Sequence, residues 1–541
     1  MTKKFDVFSN KFAHDIFLQK YSMNGQETWE DTCKRVVENV CGQLLTTEEK
    51  QDILTMMVNR EFIPGGRYLY SSGRAFHQVN NCFLFRAFDS REKWAELMHD
   101  ATAALMTGGG IGVDYSNLRP KGALIKKTGG FSTGPLALMH MVNEAGRHIM
   151  QGGQRRSAIY ASLRWNHDDV KEFVNIKNYS DQLKAIKEKD FNFPAPMELT
   201  NISVDYDTEF FIAMEDKKHE LHKHAKEIWA LNCKQAFSTA EPGMAFNFLK
   251  DNESLRNACT EVTSEDDGDK CNLGTVWMNN ITDKERFKDV VKLSTLFLLC
   301  GGIYSDIPLD KIREVGLKNN RIGLGLGGMH EWLMIRGYKY QVTPELHKWL
   351  SVYQQESDSA AYIGAKRLGV SIPKGKRAIA PTGTIGILAE STTGIEPLFC
   401  KAYKRRYLKD EVWKHQFVVD GTVKRLSDKG IDVSEIQDSY DISFKDRVKF
   451  QADVQNYVDM AISSTCNLRQ WGTEENNEDT LKKNAKMLLK YAKRLRGFTC
   501  YPDGSRGGQP LTRVDLKEAL EQEGKVFEER EHECIGGVCG V

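Results

Sequence analysis

No stretch of the 541-residue chain approaches the about 18 consecutive apolar residues of a membrane-crossing helix. The opening residues, MTKKFDVFSNKFAHDIFLQKY, contain no apolar run long enough for a secretory signal. Charge of neither sign dominates: Lys and Arg number 75, Asp and Glu 74, for a formal net charge of +1. That balance removes the basic excess of a nucleic-acid or anionic-membrane binder. No repeat period and no low-complexity segment stands out. The 12 cysteines, without a secretory signal, do not form the pattern of a disulfide scaffold and suit a reducing compartment in which a few thiols do chemistry. What remains is the composition of a soluble globular protein, 28% charged and 40% apolar, large enough for one large or two ordinary domains. The expected location is the cytoplasm, with neither nucleic acid nor membrane as partner.

Residues 1 to about 60 carry helical periodicity, and TTEEKQDILTMMVNREF begins with a Thr cap and two glutamates. FIPGGRYLYSSGR then breaks the pattern. From about 80 to 510, short apolar runs alternate with helical stretches and Gly-rich turns; NNCFLFRAF, IGVDYSN, RSAIYASLRW, ELTNISVDY and AIAPTGTIGIL are the strand candidates. Such alternation predicts an α/β architecture with parallel strands. Residues 408–450 read as a polar, irregular insertion, and a charged mobile tail follows PLTRV.

RNACTEV, residues 256–262, sets Cys259 symmetrically between Asn257 and Glu261. A buried core thiol favours apolar neighbours, and a zinc ligand needs a second Cys or His close by, which is missing before Cys271. Cys82, in NNCFLF, and Cys271, in KCNLG, both precede apolar runs and read individually as buried thiols at strand starts. Cys534 and Cys539 bracket the flexible IGGV of the tail, where redox work suits them better than a zinc site with only His532 nearby. TGGGIGVDYS lacks the Lys-Ser/Thr of a phosphate loop and the full dinucleotide fingerprint. APTGTIGIL reads either as an anion-binding turn opening a helix or as a tight turn. QGGQRRSA reads either as a ligand-sensing loop or as a solvated basic turn. In RWNHDDVKEFV, helix capping by an Asp explains the acidic pair better than a metal site does, and no metal ligand is assigned. Cys466 and Cys500 are read as structural thiols.

The ordered set FIPGGR, NNCFL, GGGIGVDYSNLRPKGA, GGFSTGPLALM, QGGQRRSA, NISV, NACTE, CNLG, APTGTIG, TTGIEPLF, GSRGGQPLT and the two-cysteine tail resembles the catalytic subunits of ribonucleotide reductases over roughly residues 10–541. The resemblance implies a ten-stranded α/β barrel (66–515) with a central finger loop, an N-terminal helical segment (1–65) and a flexible redox tail (516–541). It implies that Cys259 becomes a thiyl radical, that Glu261 takes the 3′-hydroxyl proton and that Asn257 holds the ribose hydroxyls. Cys82 and Cys271 would supply the reducing equivalents, and Cys534 and Cys539 would restore them from a thioredoxin- or glutaredoxin-like protein. Asn81, Gly110 and the turn Pro381, Thr382, Gly383 and Thr384 would bind the ribonucleotide substrate, the turn at its phosphates. Asp89 would contact the base of a deoxynucleotide or ATP effector; Gly152, Gly153, Gln154, Arg155 and Arg156 would read which effector is bound. The helix in STGPLALMHMVNEAGRHI would lie beside that site, at the interface of a homodimer.

Three departures from the fuller family pattern matter. The finger reads N-A-C-T-E rather than N-P-C-G-E, and the three chemical groups are intact. The chain leaves no room ahead of the barrel for a regulatory ATP-binding domain of about 100 residues. A Tyr-Tyr radical relay is not visible near the end, where FTCYPDGSRGGQPLT holds the single Tyr501. The resemblance is therefore closest to the adenosylcobalamin-dependent (class II) group. The alternative is a compact class I catalytic subunit that receives its radical from a separate metal-containing subunit. A nucleotide-binding regulatory protein would leave the five cysteines unexplained, and a general thiol oxidoreductase would leave the Asn/Cys/Glu loop unexplained.

Overall fold

The computed structural model of the chain describes residues 6–126, 129–151, 155–190, 193–409, 412–505 and 511–528. Its centre is a ten-stranded sheet. Nine of the strands are β1 (Cys82–Arg86), β2 (Gly110–Asp114), β3 (Ile159–Arg164), β4 (Thr200–Tyr206), β5 (Gly243–Phe246), β6 (Asp269–Trp277), β7 (Ile322–Gly327), β8 (Thr465–Leu468) and β9 (Gly497–Pro502). The tenth, Phe62–Pro64, pairs antiparallel with β6 beyond the end of β1.

Strands β1 to β5 lie side by side and parallel. β5 pairs antiparallel with β9, which runs parallel to β8. At the other edge β1 pairs antiparallel with β6, and β6 runs parallel to β7. Extended residues 377–379 close the gap between β7 and β8: Leu324 bridges Arg377, and Ile379 bridges Ile462. Two parallel halves, opposed in direction, thus close into a barrel through these bridges.

Alternation along each strand assigns one face to the barrel interior and one to the surrounding helices. Phe83 and Phe85 of β1 and Ile111 and Val113 of β2 face outward into one apolar core with the helices Arg91–Met106, Pro135–Arg147 and His222–Thr239. The second core joins β6 and β7 to the helices Lys284–Tyr304 and Pro344–Leu368 and to the N-terminal helices Trp29–Cys41 and Thr47–Val58. Both N-terminal helices start in complete capping boxes, Thr28 with Asp31 and Thr46 with Glu49. No helix among the described residues is long and apolar enough to cross a membrane.

Several local expectations change. AIAPTGTIGIL contributes only the bridged residues up to Ile379 to the barrel; Gly383–Ala389 is a helix. The polar stretch 408–450 is ordered over strand Val412–Val419 and helices Gly421–Asp428 and Phe444–Gln455. Strand Ala402–Lys409 joins Val412–Val419, Leu511–Arg513 and Val526–Glu528 in a separate four-stranded sheet. The start of the expected tail is therefore a sheet strand plus helix Leu516–Gln522, because its apolar residues Val514, Leu516 and Ala519 pack into a small core with Val419 and Leu426. Cys534 and Cys539 lie outside the described residues.

Candidate active site

Leu255–Arg256 and Thr263–Ser264 pair antiparallel, so residues 257–262 form the tip of a hairpin. This finger runs along the inner face of β2. Gly110, Gly112 and Asp114 point inward, since Ile111 and Val113 between them face the outer core. A Cβ on Gly112 would fall 1.7 Å from the Arg256 carbonyl oxygen, and one on Gly110 would fall 2.9 Å from Ala258 Cβ. Ser254 Oγ donates to Asp114 Oδ2 at 2.8 Å. Residues 254, 256 and 258 therefore lie over 114, 112 and 110 in turn, and the two glycines make room for a second backbone. The Gly-rich GGGIGVD is a seat for the finger, and Gly110, expected at the substrate, is buried beneath Ala258.

The tip is held by its own asparagine. Asn257 Oδ1 accepts from the Val262 N–H at 2.9 Å, and the Asn257 carbonyl accepts from the Thr260 N–H at 3.0 Å. The turn so made leaves Thr260 at φ +72°, the left-handed region that a β-branched residue avoids. Thr260→Gly is expected to stabilise the fold by about 1 kcal/mol, the relief of left-handed strain less the extra freedom of glycine when unfolded. The shift of the chemical denaturation midpoint measures it.

Around the tip the structure brings together all five residues expected to do chemistry. Cys82 and Cys271 are direct cross-strand partners on β1 and β6. Directly opposed antiparallel residues have Cα atoms about 4.5–5.5 Å apart, within the range a disulfide spans. Both are thiols here. Asn257 Nδ2 donates to Cys82 Sγ at 3.2 Å. Burial, assisted by the Glu261 carboxylate, pushes the Cys82 thiol up to about 12 against the opposing Asn257 hydrogen bond; burial also pushes Cys271 well up. Both sulfurs thus keep their protons at neutral pH. Glu261 is buried, its Oε2 has no hydrogen-bond partner among the described residues, and burial pushes its carboxyl up to about 7. Asn257, Glu261, Cys82 and Cys271 are buried, whereas Cys259, at the tip, is half-buried.

Some buried polar atoms have no hydrogen-bond partner among the described residues. Besides Glu261 Oε2 they include Asn81 Oδ1 and Thr382 Oγ1. The backbone of Asn81 is engaged on both sides, its N–H donating to the Cys271 carbonyl at 3.1 Å and its carbonyl accepting from the Gly110 N–H at 2.9 Å. Thr382, at φ +51°, begins the helix Gly383–Ala389, with Pro381 and Gly383 exposed and Thr384 half-buried. Asp89 lies on the surface and accepts from Arg119 Nε at 2.7 Å, a partner the sequence did not suggest. Arg155 and Arg156 form a short hairpin strand with Met150–Gln151, while Gly152, Gly153 and Gln154 lie outside the described residues. Asp169 starts the helix Val170–Asn175, but its side chain makes no cap hydrogen bond; Asp169 Oδ2 instead accepts from the Lys121 N–H at 2.9 Å. No cluster of three or more potential metal-ligating side chains occurs among the described residues.

A buried thiol pair, a reachable third thiol, an amide and a raised carboxyl inside a closed α/β barrel define a thiol-based redox enzyme for a polar substrate. The sequence profile of the ribonucleotide reductase barrel domain matches residues 80–193, 182–347 and 376–501, and the chain belongs to that family. Membership implies a nucleotide substrate and a nucleotide effector. The chain is 25% identical over 539 aligned positions to the vitamin B12-dependent ribonucleoside-diphosphate reductase of Thermoplasma acidophilum, covering 87% of this chain and 67% of that one. It is 24% identical to a Mycobacterium phage D29 protein provisionally named an adenosylcobalamin-dependent ribonucleoside-triphosphate reductase, with 95% and 96% of the two chains covered. The fold superposes on the Actinobacillus ureae class Id ribonucleotide reductase alpha subunit with a TM-score of 0.72 at 16% identity, covering 93% of this chain and 98% of that one.

Proposed function

We propose that the chain is the catalytic chain of an adenosylcobalamin-dependent ribonucleotide reductase, converting ribonucleotides to 2′-deoxyribonucleotides for DNA synthesis. The observation that carries the chemistry is the convergence of Asn257, Glu261, Cys82 and Cys271 on one finger tip whose thiol, Cys259, remains reachable. An S–H bond and a ribose C3′–H bond are close in strength, so a Cys259 thiyl takes that hydrogen reversibly. Glu261 accepts the 3′-hydroxyl proton, and its raised value places it near neutrality, where a general base works best. The 2′-hydroxyl leaves as water with a proton from the Cys82/Cys271 pair. The pair supplies two electrons and its second hydrogen to C2′ and ends as a disulfide; Cys259 returns its hydrogen to C3′, and Glu261 returns the proton to the 3′-oxygen. Asn257, tied to Cys82 and to the Val262 N–H, orients the hydroxyls.

The half-buried Cys259 at the finger tip suits a cobalamin: an organic radical needs only access to one thiol, and the residues around Cys259 and Thr260 would hold the cofactor. Cobalamin, when bound, supplies the initiating radical by homolysis of its cobalt–carbon bond. In this reading Asn81 and the turn Pro381–Thr384 hold the substrate; Asp89 and residues 152–156 serve the effector. Cys534 and Cys539 reduce the active-site disulfide and exchange with a thioredoxin-like protein. It works in the cytoplasm and pairs as a homodimer.

The test is anaerobic turnover of the lone chain with a small dithiol and a ribonucleotide, with and without adenosylcobalamin. Deoxynucleotide should form only with the cofactor. Activity that instead requires a metal-containing partner protein would overturn the cofactor assignment and leave the reductase intact.

The pH dependence has a defined sign. Because the Glu261 value in the folded chain, about 7, exceeds the ordinary 4.5, the folded chain keeps a proton that the unfolded chain releases between them. Stability from this group therefore falls as pH rises through that window, while the ionised base appears. We expect kcat/KM to rise with pH through about 7. Glu261→Gln should remove that limb and lower the rate by about 10²–10⁴-fold. Initial rates across the neutral range test both.

A further inference from the structure

We infer that Arg256 is a positioning residue for the reaction, its guanidinium locking the finger tip to the end of β5 so that Cys259 and Glu261 stay aligned. The inference rests on the reading of residues 257–261 as the catalytic tip. Arg256 immediately precedes that tip and is 1% exposed. Its Nη1 donates to the Thr260 carbonyl at 3.3 Å. Its Nη2 donates to the Phe246 carbonyl at 3.3 Å and to Asn247 Oδ1 at 2.8 Å. One planar group thus joins the residue between Cys259 and Glu261 to the barrel wall.

The wall end of this bridge is itself fixed. Asn247 donates Nδ2 to Asp205 Oδ1 at 2.5 Å and its N–H to the Tyr206 carbonyl at 2.8 Å. A second buried arginine, Arg496, donates to the same Phe246 carbonyl at 3.2 Å and the same Asn247 Oδ1 at 3.3 Å. Arg496 also reaches Glu253 Oε2 at 3.0 Å, which accepts from Thr263 Oγ1 on the return strand at 2.9 Å. Farther along that strand, Ser264 Oγ donates to Asp269 Oδ2 at 2.6 Å, two residues before Cys271. Arg321 Nε and Asn319 Nδ2 converge on that oxygen at 2.7 and 2.8 Å. The ascending strand of the finger is tied to β5 and the return strand to β6.

Stability alone is a poor reason for burying a guanidinium, since well-packed apolar replacements of buried charges are often neutral or better. A fixed planar fork instead holds its three acceptors in a set geometry, whereas the three donors of an ammonium rotate about a single atom. The tip needs such a constraint, because Thr260 holds a left-handed conformation that it disfavours.

Arg256→Met and Arg256→Lys test the assignment on the full chain. Both should lower kcat by about 10²-fold, the cost of a reacting group displaced by about an ångström, with KM little changed. Iodoacetamide labelling of Cys259, followed by peptide mass, should quicken by about fivefold, as for a tip that has lost one net hydrogen bond. Adding Asn247→Ser to Arg256→Met should cost less than the sum of the two single changes, since the two share the Arg256–Asn247 bond. Wild-type kcat and labelling in a folded Arg256→Met chain would overturn the inference, as would full recovery of both by lysine. If Arg256→Met does not fold, Asn247→Ser alone carries the same two readouts. If the wild type makes no deoxynucleotide, the functional reading fails, and labelling still decides whether Arg256 holds the tip.

Discussion

Cys259→Ser is expected to reduce deoxynucleotide formation to background while nucleotide binding survives. The change swaps one atom at a half-buried position, so the cost in stability should stay within about 0.5 kcal/mol. The chemistry changes completely. An alkoxyl radical is far harder to form than a thiyl because an O–H bond is much stronger than an S–H bond, so abstraction of the ribose hydrogen has no starting point. Neither Cys82 nor Cys271 is expected to stand in: both are buried and paired across β1 and β6, and the proposed mechanism uses them as reductants. Turnover assays set beside equilibrium dialysis of nucleotide check the separation. Measurable turnover by the serine variant would remove Cys259 from the radical step.

The residues proposed to react stand out in the sequence because the chemistry they suggest is local. Cys259 with Asn257 and Glu261, and the two thiols Cys82 and Cys271, sit in short strings whose order survives in the fold. The N-terminal helices were readable for the same reason, since a capping box such as Thr46 with Glu49 acts within four residues. The supports of the site act over long separations. Gly112 matters through a backbone 144 residues later in the chain, and Arg256 through Phe246, Asn247 and, indirectly, Arg496. A lone Arg before Asn-Ala-Cys reads as a surface charge; its burial depends on acceptors that only the closed barrel provides. The four-stranded sheet around Ala402–Lys409 was hidden likewise, because its charged strands look like loop and their partner Leu511–Arg513 is about a hundred residues away. Asp169 shows the reverse error: a residue that suits a helix cap spends its carboxylate on the Lys121 N–H of a neighbouring loop.

The separation between reacting residues and their supports makes Gly112→Ala the sharpest test of the architecture. The added methyl would lie 1.7 Å from the Arg256 carbonyl oxygen and 2.8 Å from its carbon. Both are backbone atoms, so no side-chain rotamer relieves the overlap, and the finger or β2 must retreat by more than about an ångström. β2 is held between β1 and β3 by parallel ladders, whereas the hairpin is fixed chiefly by side-chain bonds, so the finger moves. Its shift carries Cys259 and Glu261 away from Cys82, Cys271 and the substrate together. The expected result is a loss of turnover of about 10²-fold or greater with a destabilisation of about 1–3 kcal/mol. Gly130→Ala, at a position where nothing lies within 4 Å of the new methyl, should leave both quantities unchanged. Single-turnover rates and thermal unfolding of the two variants, compared side by side, read the effect. A Gly112→Ala chain that turned over like the wild type would mean that the finger does not lie along β2 during catalysis.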